Sequence, residues 1–252
     1  VRGNNENGII SSSLPKAILR KDTEFFLKDE SGRRCKFISV LCGFIYTLYL
    51  VSDGSDVFRL VYCCRNKFPN PLFLNIGNRI PRALFGGSKT SGVIDSEGGI
   101  IIITDSVLES PTQKIETTFL PNGDKAVKLA FYCKFVISLG QSCQVYMSEI
   151  SGKSPFKFSE VKELSGETVV DITGTHEHCF AVLNDGRVFG LGYNWNCRVG
   201  LPKKTKYVST FTEIDSLKKY KIISAFAGSH HSIFKTLENK MKSGDSKKNL
   251  MI

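Results

Sequence analysis

Histidines and cysteines are the side chains of this chain best suited to chemistry, and three of them crowd together at His176, His178 and Cys179. His230 and His231 occupy the corresponding place further on. Imidazole and thiolate are ligands that zinc prefers, so this grouping is the first candidate for a metal centre. Its spacing argues against one. None of the eight cysteines, at 35, 42, 63, 64, 133, 143, 179 and 197, forms a Cys-x-x-Cys pair, so a zinc site needs ligands from distant segments. The vicinal pair Cys63-Cys64 is a candidate for redox chemistry, although adjacent cysteines close a disulfide only with strain. No Ser/His/Asp set, phosphate-binding glycine loop or pair of carboxylates in a common motif stands out. The sequence names no catalytic residue, no metal site and no cofactor.

The elements that would position these residues repeat along the chain. In THEHCFAVLNDGRVFGLGYNWN, residues 175–196, an apolar run at 180–183 meets Asn184-Asp185-Gly186 and resumes at Val188-Phe189, which reads as a hairpin. A lone hairpin is unstable and needs sheet neighbours. CGFIYTLYLVSDGSDVF (residues 42–58) has the same order of parts, with Asp53-Gly54 at the turn, and GGSKTSGVIDSEGGIIIIT (86–104) repeats it around Glu97-Gly98. Gly54 and Gly98 are 44 residues apart, and Gly98 and Gly186 are 88 apart, so a further copy is predicted near residue 142. FYCKFVISLGQSCQVYMS (131–148) fills that place, with Gln141-Ser142-Cys143 at a turn that lacks its glycine. A fifth copy opens at 227–239. Pro15, Pro71, Pro111, Pro155 and Pro202 punctuate the intervening loops, where a missing N–H does a sheet no harm.

A period in the forties built from short strands is the signature of β-propeller blades, and stacked blades cover their strands on both sides, which explains runs that are apolar throughout. The fold expected is all-β, a propeller of about five blades. Leu48, Leu50, Val93, Ile94, Ile137, Phe180 and Val182 are its expected core. WD-type blades are excluded because the single tryptophan, Trp195, is followed by Asn196, and kelch-type blades because the double glycine recurs only at Gly86-Gly87 and Gly98-Gly99.

The strongest copies resemble the repeat of the regulator of chromosome condensation family: Gly-x-x-His-(Ser/Thr), an apolar run, x-Asp-Gly-x-Val-Tyr, then Gly-x-Asn-x-x-Gly-x-x-Gly. Gly174, His176, His178, Asn184-Asp185-Gly186, Val188-Phe189, Gly192, Asn194 and Gly200 fall in that order, as do Gly43, Thr47, Asp53-Gly54 and Val57-Phe58. The copies around 98 and 142 lose the Gly-x-Asn tail, and that around 54 has Val61 and Cys63 in its place. The resemblance implies that the histidine is structural, hydrogen-bonded to neighbouring backbone beside its strand. It also implies one candidate activity, guanine-nucleotide exchange on a Ran-type small GTPase. The family's exchange residues map to no position here.

Residues 1–240 are expected to carry the repeats and 241–252 to form a flexible basic tail. Gly3, Asn5 and Gly8 match the second half of a repeat, and the fifth copy supplies a first half, so four whole blades and one split between the termini is one reading. The other is a piece of a longer array, since the resembled family usually has seven blades. Residues 37–52 carry sixteen uncharged positions after Arg33, Arg34 and Lys36, fewer than the ~20 of a membrane-crossing helix. Two buried strands joined at Gly43 are expected there. At 252 residues, 41% hydrophobic and 23% charged, the chain can bury a core without disulfide staples, so reduced thiols, a cytoplasmic or nuclear location and a monomer are expected.

Charge is the remaining clue. The net charge is +10, and Arg198, Lys203, Lys204, Lys206, Lys218, Lys219 and Lys221 are expected to gather on one rim, opposed by Glu213 and Asp215. Such a rim suits an acidic protein or phosphates. No interleaved aromatic platform is apparent beside it. The leading expectation is a non-enzymatic scaffold for a protein partner; the alternatives are nucleotide exchange on a small GTPase, and chromatin or weak non-specific nucleic-acid association through the basic loops.

Overall fold

The computed structural model describes residues 3–4, 18–19, 32–43, 46–52, 54, 57–64, 71–87, 90–109, 114–150, 155–237 and 249–251. They form two compact units, one of residues 1–118 with 152–155 and the other of residues 119–151 with 156–252. Antiparallel sheets are the main regular structure of the described residues in both. Helix among the described residues is limited to the five-residue Asp105–Glu109 and four single-turn 3-10 segments.

In the first unit, Lys36–Cys42, Thr47–Ser52, Phe58–Cys63 and Leu72–Leu74 pair in chain order as blade 1, and Pro81–Gly86, Ser91–Asp95 and Ile100–Ile103 as blade 2. A fourth strand of blade 2 is reduced to a bridge between Ile100 and Thr118. Gly3–Asn4 pairs with Ile18–Leu19. In the second unit, blade 3 is Ala126–Tyr132, Phe135–Gly140, Val145–Glu149 and Ser159–Glu160, and blade 4 is Val169–Gly174, His178–Leu183, Val188–Tyr193 and Tyr207–Glu213. Blade 5 is Ile222–Ala227, Ser232–Thr236 and Asn249–Met251. Its third strand is therefore Asn249–Met251, where the N-terminal segment was expected, and that stretch of the expected tail is a strand. Residues 241–248 of that tail, and Asn5 and Gly8, lie outside the described residues.

The blades repeat down to their irregularities. Every first strand carries a β-bulge just after its start, at Phe37/Ser39, Pro81/Ala83, Ala126/Lys128, Val169/Asp171 and Ile222/Ser224. The hairpin turns superpose by hydrogen bonding: Gly98 N donates to Asp95 O at 3.2 Å, Cys143 N to Gly140 O at 3.0 Å and Gly186 N to Leu183 O at 3.0 Å. Within these turns only the last residue has positive φ, at 84°, 67° and 95°, with Gly54 at 91°. The turns 95–98, 140–143 and 183–186 are thus type I turns closed by a left-handed residue. Cys143 occupies the missing glycine's conformation. Asp53 lies outside the described residues.

The continuous apolar runs are explained by stacking on both faces. Cys179, Ala181 and Leu183 pack with Ala130, Ile137 and Val145 of blade 3, while Phe180 and Val182 pack with Ile222, Ala225 and Phe234 of blade 5. In the first unit Leu48, Leu50, Leu60 and Tyr62 meet Val93, Ile101 and Ile103, and Tyr49, Val51, Val61 and Cys63 pack with Cys35 on the other face. All seven expected core residues are buried. Residues 37–52 do form two strands on either side of Gly43, but only the second is buried. The first is an exposed sheet edge, with Val40 at 58% exposure. Successive strand side chains point to opposite faces, so Cys63 and Cys64 join different clusters and diverge, with burial pushing the Cys63 thiol up to about 12.

Candidate functional site

Of the four histidines, His178 is buried where blade 4 meets blade 5, and His176, His230 and His231 are exposed. The backbone turns Gly43 N to Tyr46 O, Gly87 N to Thr90 O, Thr175 N to His178 O and Gly228 N to His231 O are equivalent. They place Tyr46, Thr90, His178 and His231 at one repeat position, followed by Thr47, Ser91, Cys179 and Ser232 at the next. His178 Nε2 lies 2.9 Å from Ser232 Oγ, and Ser232 Oγ donates to Arg198 O at 2.7 Å. The hydroxyl has one proton and it is committed to Arg198, so His178 donates through Nε2–H and its Nδ1 is unprotonated. Burial, reinforced by nearby His231, holds the His178 pKa down to about 4. In the first unit Ser91 Oγ donates to Tyr46 Oη at 2.6 Å, so a phenol takes the imidazole's place there with the hydrogen bond reversed. The structural role expected of the histidine thus takes the form of a latch to a serine side chain on the following blade, rather than to backbone. Among the described residues no cluster of three or more His, Cys, Asp or Glu side chains is arranged to hold a metal ion.

The loop between the third and fourth strands of blade 4, residues 194–206, is the most elaborately built connection. Asn194 is buried; its Nδ2 donates to Leu201 O at 3.0 Å and Thr205 O at 2.8 Å, and its Oδ1 accepts Val199 N at 3.0 Å. Gly192, at φ 116°, has no room for a side chain, since a Cβ there would lie 2.3 Å from Glu177 O. These two contacts are the physical content of Gly-x-Asn. Arg198 is buried as well: Nε donates to Trp195 O at 3.0 Å, Nη1 to Ser229 O at 3.1 Å, and the guanidinium pairs with Glu177. Its charge fastens the loop to the blade 4 turn and to blade 5. Asn196 and Cys197 are consecutive left-handed residues, φ 57° and 61°, and the fold they force projects Trp195 outward, 50% exposed.

The six lysines are all exposed, but the structure does not bring them to one rim. Lys203, Lys204 and Lys206 sit at the end of the strands where Arg198 meets Ser229 and Cys133 N meets His176 O. Lys218, Lys219 and Lys221 sit at the opposite end, where Ile214 N meets Val188 O and Ile222 N meets Gly186 O. The seven-residue strand Tyr207–Glu213 separates the two sets by roughly 20 Å. Lys218 is moreover paired with Asp215 at 2.6 Å and Glu213 at 3.5 Å.

Beside Lys203, Lys204 and Lys206 lie aromatic residues that the sequence reading missed. Tyr193 and Tyr207 are register partners on adjacent strands, their rings 4.9 Å apart, and the Tyr207 hydroxyl is 3.3 Å from that of Tyr132. Lys206 Nζ lies 5.9 Å from the Trp195 ring centre. The signal was the hairpin register, which pairs residues 14 positions apart. It becomes visible only once the length of loop 194–206 is known.

No helix among the described residues is long and apolar enough to cross a membrane. The family model of the regulator of chromosome condensation (RCC1) repeat matches residues 185–234, from the blade 4 hairpin turn to the second strand of blade 5. Among solved structures, human WBSCR16 superposes with a TM-score of 0.67 at 11% identity, over 93% of this chain and 67% of that one. Yeast RCC1 (Prp20) bound to Kap60 gives 0.67 at 12%, over 89% and 58%. Prp20p from Saccharomyces cerevisiae, whose structure was reported with its binding to Gsp1p and histones, gives 0.59 at 14%, over 79% and 56%. The chain thus spans about three fifths of the length of the two yeast chains. Residues 185–234 are a repeat of the regulator of chromosome condensation type, carried in a β-propeller fold shared with proteins of that kind.

Proposed function

We propose that the chain is a non-enzymatic protein-interaction scaffold, a set of stacked blades whose strand-end loops meet a protein partner. The observation that supports this reading best is loop 194–206. Asn194 and Arg198 pin its base, and its tip presents Trp195 and three lysines to solvent. A pinned loop loses little conformational freedom on binding, which is how a scaffold gains affinity without new contacts. Reduced thiols and a cytoplasmic or nuclear location belong to the same reading, resting on eight cysteines in a chain large enough to fold without disulfides.

A second reading, guanine-nucleotide exchange on a small GTPase, is favoured by the likeness to Prp20p and the Gsp1p binding reported for it. Histone binding reported for the same protein favours chromatin association in the same way. Release of labelled GDP from a panel of small GTPases separates scaffold from exchange factor. The scaffold reading expects no acceleration, and a tenfold stimulation of any member, about 1.4 kcal/mol off the release barrier, would reverse the order.

A further inference from the structure

The charges of the second unit are distributed unequally between its two ends. Among the described connections and terminal strand residues, the end that carries loop 194–206 has six basic side chains and two carboxylates. Both carboxylates are already engaged, Glu149 with Lys134 at 2.5 Å and Glu177 with Arg198. The described residues of the opposite end also include six basic side chains but seven carboxylates, so their charges nearly cancel. Among the described residues of the unit the excess positive charge is therefore displayed at one end, and there it surrounds exposed aromatic residues: Trp195, Tyr193 at 41% and Tyr207 at 47%.

We infer that this end of blade 4 is a docking surface for an acidic protein segment, with Trp195 as the apolar anchor and Lys203, Lys204 and Lys206 meeting its carboxylates. Charge complementarity sets the sign of the partner, because no free carboxylate among the described residues at that end competes for the lysines. The aromatic geometry selects a peptide over a nucleic acid. Base stacking needs open ring faces spaced along a cationic track. Here Tyr193 and Tyr207 pack against each other, the Trp195 ring lies beside Lys206, and the three lysines are confined to four consecutive positions. A half-exposed tryptophan rimmed by charge is the arrangement of a protein interface hot spot. The two left-handed residues after Trp195 hold it outward at a conformational cost that burial of the ring against a partner would offset.

The inference rests on the scaffold reading but fails separately from it: absence of peptide binding leaves that reading standing, whereas accelerated nucleotide release sinks it. The probes are a fluorescein-labelled peptide of alternating glutamates around a central leucine, the same peptide with glutamine for glutamate, and a fifteen-nucleotide oligo-dT. Anisotropy titrations with the intact chain should show the acidic peptide bound at least tenfold tighter than either of the others. Changing Lys203, Lys204 and Lys206 to Glu should weaken it tenfold or more, about 1.4 kcal/mol. The same change of net charge at Lys218, Lys219 and Lys221 should leave it within twofold. Trp195→Ala should weaken it at least fivefold with an unchanged salt dependence, since it removes no charge. Each variant's unfolding midpoint is measured alongside, and Lys203→Gln with Lys204→Gln replaces the triple variant if that one is destabilised. Equal losses from the two lysine sets, no effect of Trp195→Ala, tighter binding of oligo-dT, or no binding of the acidic peptide would each overturn the inference.

Discussion

Lowering the pH from 7 to 5 should weaken the second unit through one identifiable residue. His178 is buried, its Nε2–H is used by Ser232, and a second proton would have to enter at Nδ1 without solvent. The folded pKa is held down to about 4 against an ordinary value near 6.5. The unfolded chain therefore binds the proton more readily, and stability contributed by the neutral ring is full above pH 6.5 and is lost as pH falls from there toward 4. Linkage gives a loss of about 2 kcal/mol between pH 7 and 5, and about 1.5 kcal/mol if the folded pKa is a unit higher. For a unit of this size that is a fall of roughly 3–8 °C in the melting temperature. Carboxylates also titrate in this range, so the control is His178→Gln, whose side-chain amide can donate to Ser232 but takes up no proton. Thermal melts of both proteins at pH 7 and pH 5 isolate the histidine as the difference between their losses. Equal losses in the two would refute the reasoning.

Phe180→Ala should cost about 3–5 kcal/mol, because Phe180 is fully buried and sits edge-on to Phe234 at 5.0 Å and His178 at 5.4 Å; an unchanged denaturant midpoint would mean the strand is not stacked. Cys197→Gly should stabilise the chain by up to about 1 kcal/mol, since relief of the left-handed cost at φ 61° exceeds glycine's extra unfolded-state entropy, and a clear loss of stability would show that the thiol is packed rather than strained. All eight thiols should react with a thiol reagent in denaturant without reductant, and fewer than six would reveal disulfides.

What could be read in the sequence was whatever repeats locally. The spacing of Gly54, Gly98 and Gly186 located the hairpin turns, and it located Cys143 as well, because backbone geometry rather than residue identity is what the period preserves. Runs such as 179–183 announced strands buried on both faces for the same reason. Non-local pairings stayed hidden. Tyr46 takes in blade 1 the place of His178 in blade 4, and nothing in a tyrosine says that its hydroxyl will meet a serine 45 residues away. Arg198 reads as one more cation in a basic stretch, yet its guanidinium is spent on Glu177 and the carbonyls of Trp195 and Ser229. The lysines at 203–206 and 218–221 are near in sequence and far apart in space, because one full strand lies between them. Their separation is a consequence of topology, and so is the meeting of Tyr193 with Tyr207.

Native-state hydrogen exchange of the intact chain tests the account most directly, because both the scaffold and its docking surface require strands locked by stacking beneath loops open to solvent. Amides of residues 136–139 and 179–183, paired within their sheets and buried, should exchange together in the slowest class, through opening of the whole unit. Amides of Lys203, Lys204 and Lys206 should exchange orders of magnitude faster. Exchange of residues 179–183 at the rate of those three lysines would contradict the stacked-blade account and the scaffold built on it.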